Sequence, residues 1–247
     1  MLVIPEQAIR RQGPGRLLTV CWRQWRTERK LARRGVRFRA PRLEQALAAY
    51  AAMSQVEFNA VNGRQEWANW RTIPRALSGH VPDRALRVLD LGSGTGSSTR
   101  VLAFYCPQGS HITGYEIADP MLACARRRRY RHQSGAKVRV EFVKQGVTET
   151  LREPAGTPIA PASVDLINAS GIVGHHLQPQ TIGPLLAEIE RVLKSDGVAM
   201  LDVGPTIAPG VLQRLMAEAG FVCLGHYRSW FGDLTGEMVF RRASSER

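Results

Sequence analysis

Nine residues, Val88-Leu89-Asp90-Leu91-Gly92-Ser93-Gly94-Thr95-Gly96, constrain the fold of this chain more than any other stretch. An apolar run that ends in alternating glycines is a strand entering a sharp turn, because glycine alone adopts left-handed backbone without a Cβ penalty. The helix expected next, through about Tyr105, presents unpaired N–H groups at that turn. The pattern then repeats: strands over His111–Ile117, Lys137–Val143, Val164–Asn168, Val198–Val203, Phe221–Gly225 and Met238–Arg242. Helices are expected between most of them, over Asp119–Arg131, Pro184–Leu193 and a stretch through Met216 to Gly220. Strands joined through helices pair in parallel by right-handed crossovers. Only Ser229–Gly236 separates the last two strands, so they pair antiparallel. The expected fold class is α/β: a doubly wound, mostly parallel seven-stranded sheet with an antiparallel last strand, preceded by a helical cap.

Glycine-rich turns serve many nucleotide sites, and the surroundings narrow the choice. The spacing is GxGxG rather than the GxGxxG of most dinucleotide folds. Asp90, two residues before Gly92, would repel a pyrophosphate and suits a cationic group. Glu116 closes the second strand, 20 residues after Gly96, where a carboxylate can accept two ribose hydroxyls.

Asp90-Leu91-Gly92-Ser93-Gly94-Thr95-Gly96 and Tyr115-Glu116-Ile117 resemble the first and second motifs of the class I S-adenosylmethionine-dependent methyltransferases. The resemblance covers roughly residues 84–242. It implies S-adenosyl-L-methionine as cofactor, and it is specific for that cofactor rather than for the methyl acceptor. Gly92, Ser93, Gly94 and Gly96 would pack under the methionine and ribose, Asp90 would orient the amino group, and Glu116 would bind ribose oxygens, with Ile117 beside it. Many relatives place an Asp after the third strand to meet the adenine amino group. Here Gln145-Gly146-Val147 stands there, with Val147 in the Asp position, so Gln145, Gly146 and the Val147 backbone are the expected adenine contacts. The fourth strand adds Asn168 and Ser170 at the carboxyl edge of the sheet, where open parallel sheets bind ligands.

Beyond that strand the chain reads Ile172-Val173-Gly174-His175-His176-Leu177, an ending that resembles the small-molecule branch of the family. The Asn/Asp-Pro-Pro-Tyr/Phe motif of base N-methylation is absent. Methyl transfer to a hydroxyl or ammonium needs a base, and histidine works at neutral pH. Either His175 or His176 is the candidate; capping or packing of the next helix is the plainer role for each. No metal is implied. Upstream, residues 57–71 are rich in amides and aromatics, and Asn59, Asn62, Trp67 and Arg71 are the candidate acceptor-binding residues. A pair of tryptophans packed on the sheet is the plainer account.

The formal charge of +13 is unevenly distributed. Residues 1–42 carry 12 of the 34 Lys and Arg against two acidic residues, whereas the remainder is close to neutral. This divides the chain into a basic arm (1–42), a helical cap (43–82) and a cofactor-binding domain (83–247). Residues 1–15 are expected to be loosely ordered. Residues 16–34 suit a basic helix with Leu17, Leu18, Cys21, Trp22 and Trp25 on one side, either at a membrane surface or packed on the body. A cap helix is expected from Pro41 toward Phe58, stopping at Asn62-Gly63. A second one carries Trp67 and Trp70 and ends near Pro74. The arm and the run Arg126–Arg129 with Arg131 suit a nucleic acid or an anionic membrane surface, or are simply solvated. Four cysteines without CxxC spacing support neither a zinc knuckle nor a disulfide framework, and no apolar run or signal segment is present, so a cytoplasmic location is expected, with peripheral membrane contact left open. Three readings remain at this level: a small-molecule methyltransferase, an RNA or protein methyltransferase using the arm, and a non-catalytic binder of the cofactor.

Overall fold

The computed structural model describes residues 1–9, 14–37, 43–229 and 236–243. A long helix α1 (Pro14–Arg33) leads to three cap helices, α2 (Leu43–Ala51), α3 (Gln55–Val61) and α4 (Gly63–Leu77). The alternating region follows as β1 (Arg87–Leu91), α5 (Ser97–Tyr105), β2 (His111–Glu116), α6 (Asp119–Arg127), β3 (Arg139–Lys144) and β4 (Val164–Ala169). The short α7 (Val173–His176), α8 (Gly183–Val192), β5 (Leu193–Val203), α9 (Pro209–Glu218), β6 (Phe221–Tyr227) and β7 (Gly236–Arg242) complete it.

The strands form one seven-stranded sheet in the order β3-β2-β1-β4-β5-β7-β6. β1 to β5 run parallel, and β7 lies antiparallel between β5 and β6. Period-two alternation sends neighbouring residues to opposite faces. Leu89, Ile167, Ala199 and Leu201 bury one face with residues of α8 and α9, such as Ile189 and Met216. Val88, Leu166, Val198 and Met200 bury the other beside Ile73 and Leu77 of α4 and Leu102 of α5. A third cluster of Leu31, Met53, Phe58, Val61 and Met121 joins α1 and the cap to α6. Fully burying a side chain of this size contributes about 2 kcal/mol.

Three expectations are corrected. The first nine residues are pinned rather than loose: Leu2 N–H donates to the Val81 carbonyl at 2.8 Å, Gly79 N–H donates to the Leu2 carbonyl at 2.8 Å, and Ile9 is buried. The helix expected toward Phe58 is two helices. Ser54 starts α3 with a capping box, its hydroxyl accepting from Glu57 N–H while the Glu57 carboxylate accepts from Ser54 N–H. The expected start at Pro41 lies outside the described residues, as do Gly13 and most of the connection between the last two strands. Finally, α6 stops at Arg127: the next residue, Arg128, has extended backbone, and its guanidinium reaches Thr95 and Asn59.

Candidate functional site

β1 enters the glycine turn at the middle of the sheet, beside the point where strand order reverses. Gly92, Gly94 and Gly96 have φ of 66°, 54° and 80°. All three are left-handed, the region L side chains avoid. Space forbids a side chain as well: a Cβ on Gly96 would lie 2.1 Å from the Tyr130 hydroxyl, and one on Gly92 2.0 Å from Ile172 Cδ1. Gly96 is the N-cap residue of α5. Ser93 N–H donates to the Tyr115 carbonyl at 2.8 Å, while its buried hydroxyl has no hydrogen-bond partner.

Beneath the turn, Asp90 is fully buried. One oxygen accepts from Ser98 Oγ (2.8 Å) and Thr99 Oγ1 (2.5 Å), and the other accepts from Asn168 Nδ2 (2.8 Å). Burial pushes the carboxyl upward against those donors. Its acceptors are therefore spent on the first turn of α5 and on β4, which lock the loop to the sheet. Glu116, at the tip of β2, accepts from Gly94 N–H at 2.9 Å and Ala118 N–H at 2.7 Å. It ties the glycine turn to the next crossover, and burial raises it too.

The adenine side is less uniform. Gly146 lies against Ile117, whose Cδ1 would be 3.7 Å from a Cβ placed on that glycine, and Val147 packs at the edge of the core. Gln145 is engaged elsewhere: its amide donates to the Thr150 carbonyl and accepts from Arg152 N–H, stapling the loop after β3.

A second polar line starts from Asn168. Asn168 Oδ1 accepts from Ser170 Oγ at 2.9 Å, and Ser170 Oγ lies 2.9 Å and 3.0 Å from the two oxygens of Glu237. A hydroxyl has one proton to give. With that proton on Asn168, Glu237 must itself donate to Ser170, which requires its protonated form. Complete burial, with Asp202 beside it, pushes the Glu237 carboxyl well above the ordinary range. The line Asp90–Asn168–Ser170–Glu237 thus spans the sheet from β1 to β7.

The cap lies directly on this edge. Phe58 sits 3.6 Å from where a Gly94 Cβ would be, and packs edge-on to Tyr50 at 5.3 Å. Thr95 Oγ1 donates to Asn59 Oδ1 at 2.9 Å, and Arg128 reaches Thr95 at 3.0 Å. The Tyr50 hydroxyl and His176 Nε2 share a 3.0 Å hydrogen bond. Burial raises the Tyr50 phenol and lowers the His176 imidazole. Of the four candidate acceptor contacts only Asn59 touches the glycine turn. Asn62 turns back on its own helix to the Phe58 carbonyl, and Arg71 lies over the Trp67 ring at 4.0 Å.

A small cavity opens between α4 and the carboxyl edge of β5, lined among others by Gln65, Thr72, His175, Asp202 and Glu237. Trp67 and Arg71 do not line it; α4 turns Gln65, Ala68 and Thr72 toward it instead. His175 Nε2 has no hydrogen-bond partner and stands 3.8 Å from Asp202 Oδ2. Asp202 accepts from the N–H groups of Ile172, Val173 and Gly174, so it fixes the start of α7 and thereby the histidine pair. The two histidines part company: His176 is tied to the cap, whereas His175 faces the cavity. Asp202 and Glu237 escaped sequence reading because they meet only through the β5–β7 register. Arg128 was hidden inside a run of arginines that reads as solvated.

Comparisons with known proteins accord with this architecture. Residues 88–197 match the sequence profile described as "Methyltransferase domain". A 94-residue segment is 31% identical to part of the polyketide synthase ThaG of Burkholderia thailandensis; it takes in 38% of this chain, and the chain spans about 2% of that protein's length. Among solved structures, the TehB-like SAM-dependent methyltransferase of Corynebacterium glutamicum superposes with a TM-score of 0.54 at 20% identity, over 80% of this chain and 98% of that one. The trans-methyltransferase CalH, in complex with SAH, gives 0.62 at 16% identity, over 91% and 67%. The magnesium protoporphyrin IX methyltransferase of Synechocystis, with bound SAM, gives 0.51 at 16% identity, over 77% and 85%. At such identities these likenesses bear on the fold.

Proposed function

We propose that this chain, whose residues 88–197 carry the methyltransferase-domain pattern, binds S-adenosylmethionine at the tips of β1 and β2 and methylates an O, N or C nucleophile of a small molecule. The observation that carries the reading is the pairing of three left-handed glycines with the Glu116 carboxylate, 2.9 Å from the amide of the middle one. The residues present fit the cofactor. Glu116 keeps lone pairs free for ribose hydroxyls, since each oxygen accepts one backbone N–H. The Ser93 hydroxyl lies buried there without a partner. Ile117 and Val147 offer apolar walls to adenine, while the Gly146 N–H already donates to Glu149 Oε1 at 3.1 Å. Asp90 acts through Asn168 and Ser170 rather than by direct contact, because its carboxylate is fully buried beneath the turn and accepts three side-chain hydrogen bonds.

When bound, the cofactor supplies an electrophilic methyl group on a sulfonium, with a neutral thioether as leaving group. The protein's part is to align the acceptor, exclude water and take up a proton. His175 is placed for the last: its Nε2 is unpartnered at the cavity, and Asp202 lies close enough to stabilise the imidazolium it forms. Tyr50, Phe58 and Asn59 exclude water from the glycine turn. The cap helices lie over the glycine turn and over the cavity beside His175, a covered arrangement that supports a small acceptor. The neighbours that methylate magnesium protoporphyrin IX, and the segment shared with a polyketide synthase, are in keeping with that class.

Calorimetry on the full chain with S-adenosylmethionine and with S-adenosylhomocysteine tests the reading. Saturable binding of both is expected, weakened in Glu116→Ala. A folded protein that gives no heat with either ligand overturns it.

A further inference from the structure

The catalytic edge leaves one prominent surface unexplained. On α1, Leu18, Trp22 and Trp25 are 73%, 53% and 51% exposed. Their spacing, i, i+4 and i+7, puts them on one stripe of the helix. The opposite side is committed to the body: Val20 lies over Gly63 at the start of α4, and Leu31 is fully buried. The stripe therefore points outward by construction.

Its cations are arranged with it. The guanidinium of Arg26 lies over the Trp22 ring at 4.6 Å, and that of Arg29 over the Trp25 ring at 4.8 Å. Arg16, Arg23 and Arg33 are exposed and have no carboxylate partner among the described residues. Lys30, with Arg34 beyond the helix end, is instead committed to Glu57, whose carboxyl they hold down at about 2. The only acid in α1 is Glu28, which accepts from Gln24. Leu18, Trp22 and Trp25 thus share the outward stripe with Arg26, Arg29 and Arg33, while Arg16 and Arg23 lie further round the helix.

We propose that this face of α1 docks the protein on an anionic lipid bilayer. The indoles and Leu18 would enter the headgroup–acyl boundary, where tryptophan is at home with its ring in hydrocarbon and its N–H in water. The arginines would meet lipid phosphates, as basic segments do at negatively charged leaflets. The twenty-residue helix is about 30 Å long and lies flat on the body, which suits a plane. Single-stranded nucleic acid, the other partner for arginine and tryptophan, is bound in grooves or on platforms where bases stack with open ring faces. Here one face of each indole is taken by an arginine, and the stripe lies on the outer side of a helix rather than in a groove.

Flotation of the full chain with phosphatidylcholine vesicles, and with vesicles that also contain phosphatidylglycerol, tests this. Binding is expected only to the anionic vesicles and should weaken as salt is raised. The double variant Trp22→Ala/Trp25→Ala should bind at least about tenfold more weakly, with unchanged circular dichroism, since neither indole is in the core. Arg26→Gln/Arg29→Gln should lower both the binding and its salt dependence. The proposal is overturned by no flotation, by equal binding to neutral vesicles, by wild-type binding in the tryptophan variant, or by tighter binding to a single-stranded RNA oligonucleotide than to anionic vesicles.

Discussion

The two halves of the carboxyl edge are built by different means. The half at β1 and β2 is made largely of backbone: three glycines in left-handed conformation and a carboxylate that reaches two amides. The half at β4, β5 and β7 is made of side chains from distant segments, Gln65, His175, Asp202 and Glu237, brought together by strand register and by the cap. A backbone site is fixed by local sequence and tolerates few side chains. A side-chain site depends on the whole fold, and the same scaffold can present different acceptor chemistry there.

The largest expected effect lies at the joint between the halves. Asp90→Ala strands three buried donors, Ser98, Thr99 and Asn168. Each buried donor left unsatisfied costs about 1–3 kcal/mol, which chemical denaturation would show as loss of both halves together. Next, His175→Asn should lower turnover about 10²–10⁴-fold, the usual worth of a general base, while leaving affinity for S-adenosylhomocysteine within about threefold. His176→Asn should spare turnover more, because His176 acts through Tyr50; equal losses would erase the distinction between the two histidines. Glu116→Gln should weaken S-adenosylhomocysteine by about 10–100-fold, matching the roughly 1.5–3 kcal/mol of hydrogen bonds to a charged group. It should also cost about 1–3 kcal/mol of stability, because the amide NH2 cannot accept from one of the Gly94 and Ala118 N–H groups.

The smallest effect is the most diagnostic. The folded-state pKa of Glu237 is raised, so above its ordinary value of 4.5 the native state binds more protons than the unfolded chain. Stability then falls as pH rises. Glu237→Gln supplies a neutral group of similar shape, so it should differ from the parent by about 1 kcal/mol or less near pH 4. Its advantage should grow as pH increases. Denaturation midpoints at several pH values would check this, and a constant difference would mean that Glu237 is ionised in the fold.

How much of this was legible in the sequence follows the same division. Gly92, Gly94, Gly96 and Glu116 announce themselves because their roles are local. The seven strands could be placed because apolar runs and turns alternate, and the missing helix before β7 gave the antiparallel pair. The break between α2 and α3 was written in Ser54-Gln55-Val56-Glu57, a capping-box spacing that the helical periodicity through Tyr50 and Met53 masked. The pinning of Leu2 by Gly79 and Val81 depends on backbone groups remote in sequence, which no local pattern encodes. Asp202 and Glu237 become neighbours only once β5 and β7 are in register.

The cap touches both halves at once, through Asn59 on Thr95 and Tyr50 on His176. A single roof over two rooms has a thermodynamic corollary. Where either guest requires that roof to lift, both draw on one opening equilibrium. The first to arrive and hold the lifted form raises the competent fraction for the second, and by reciprocity the second does the same for the first.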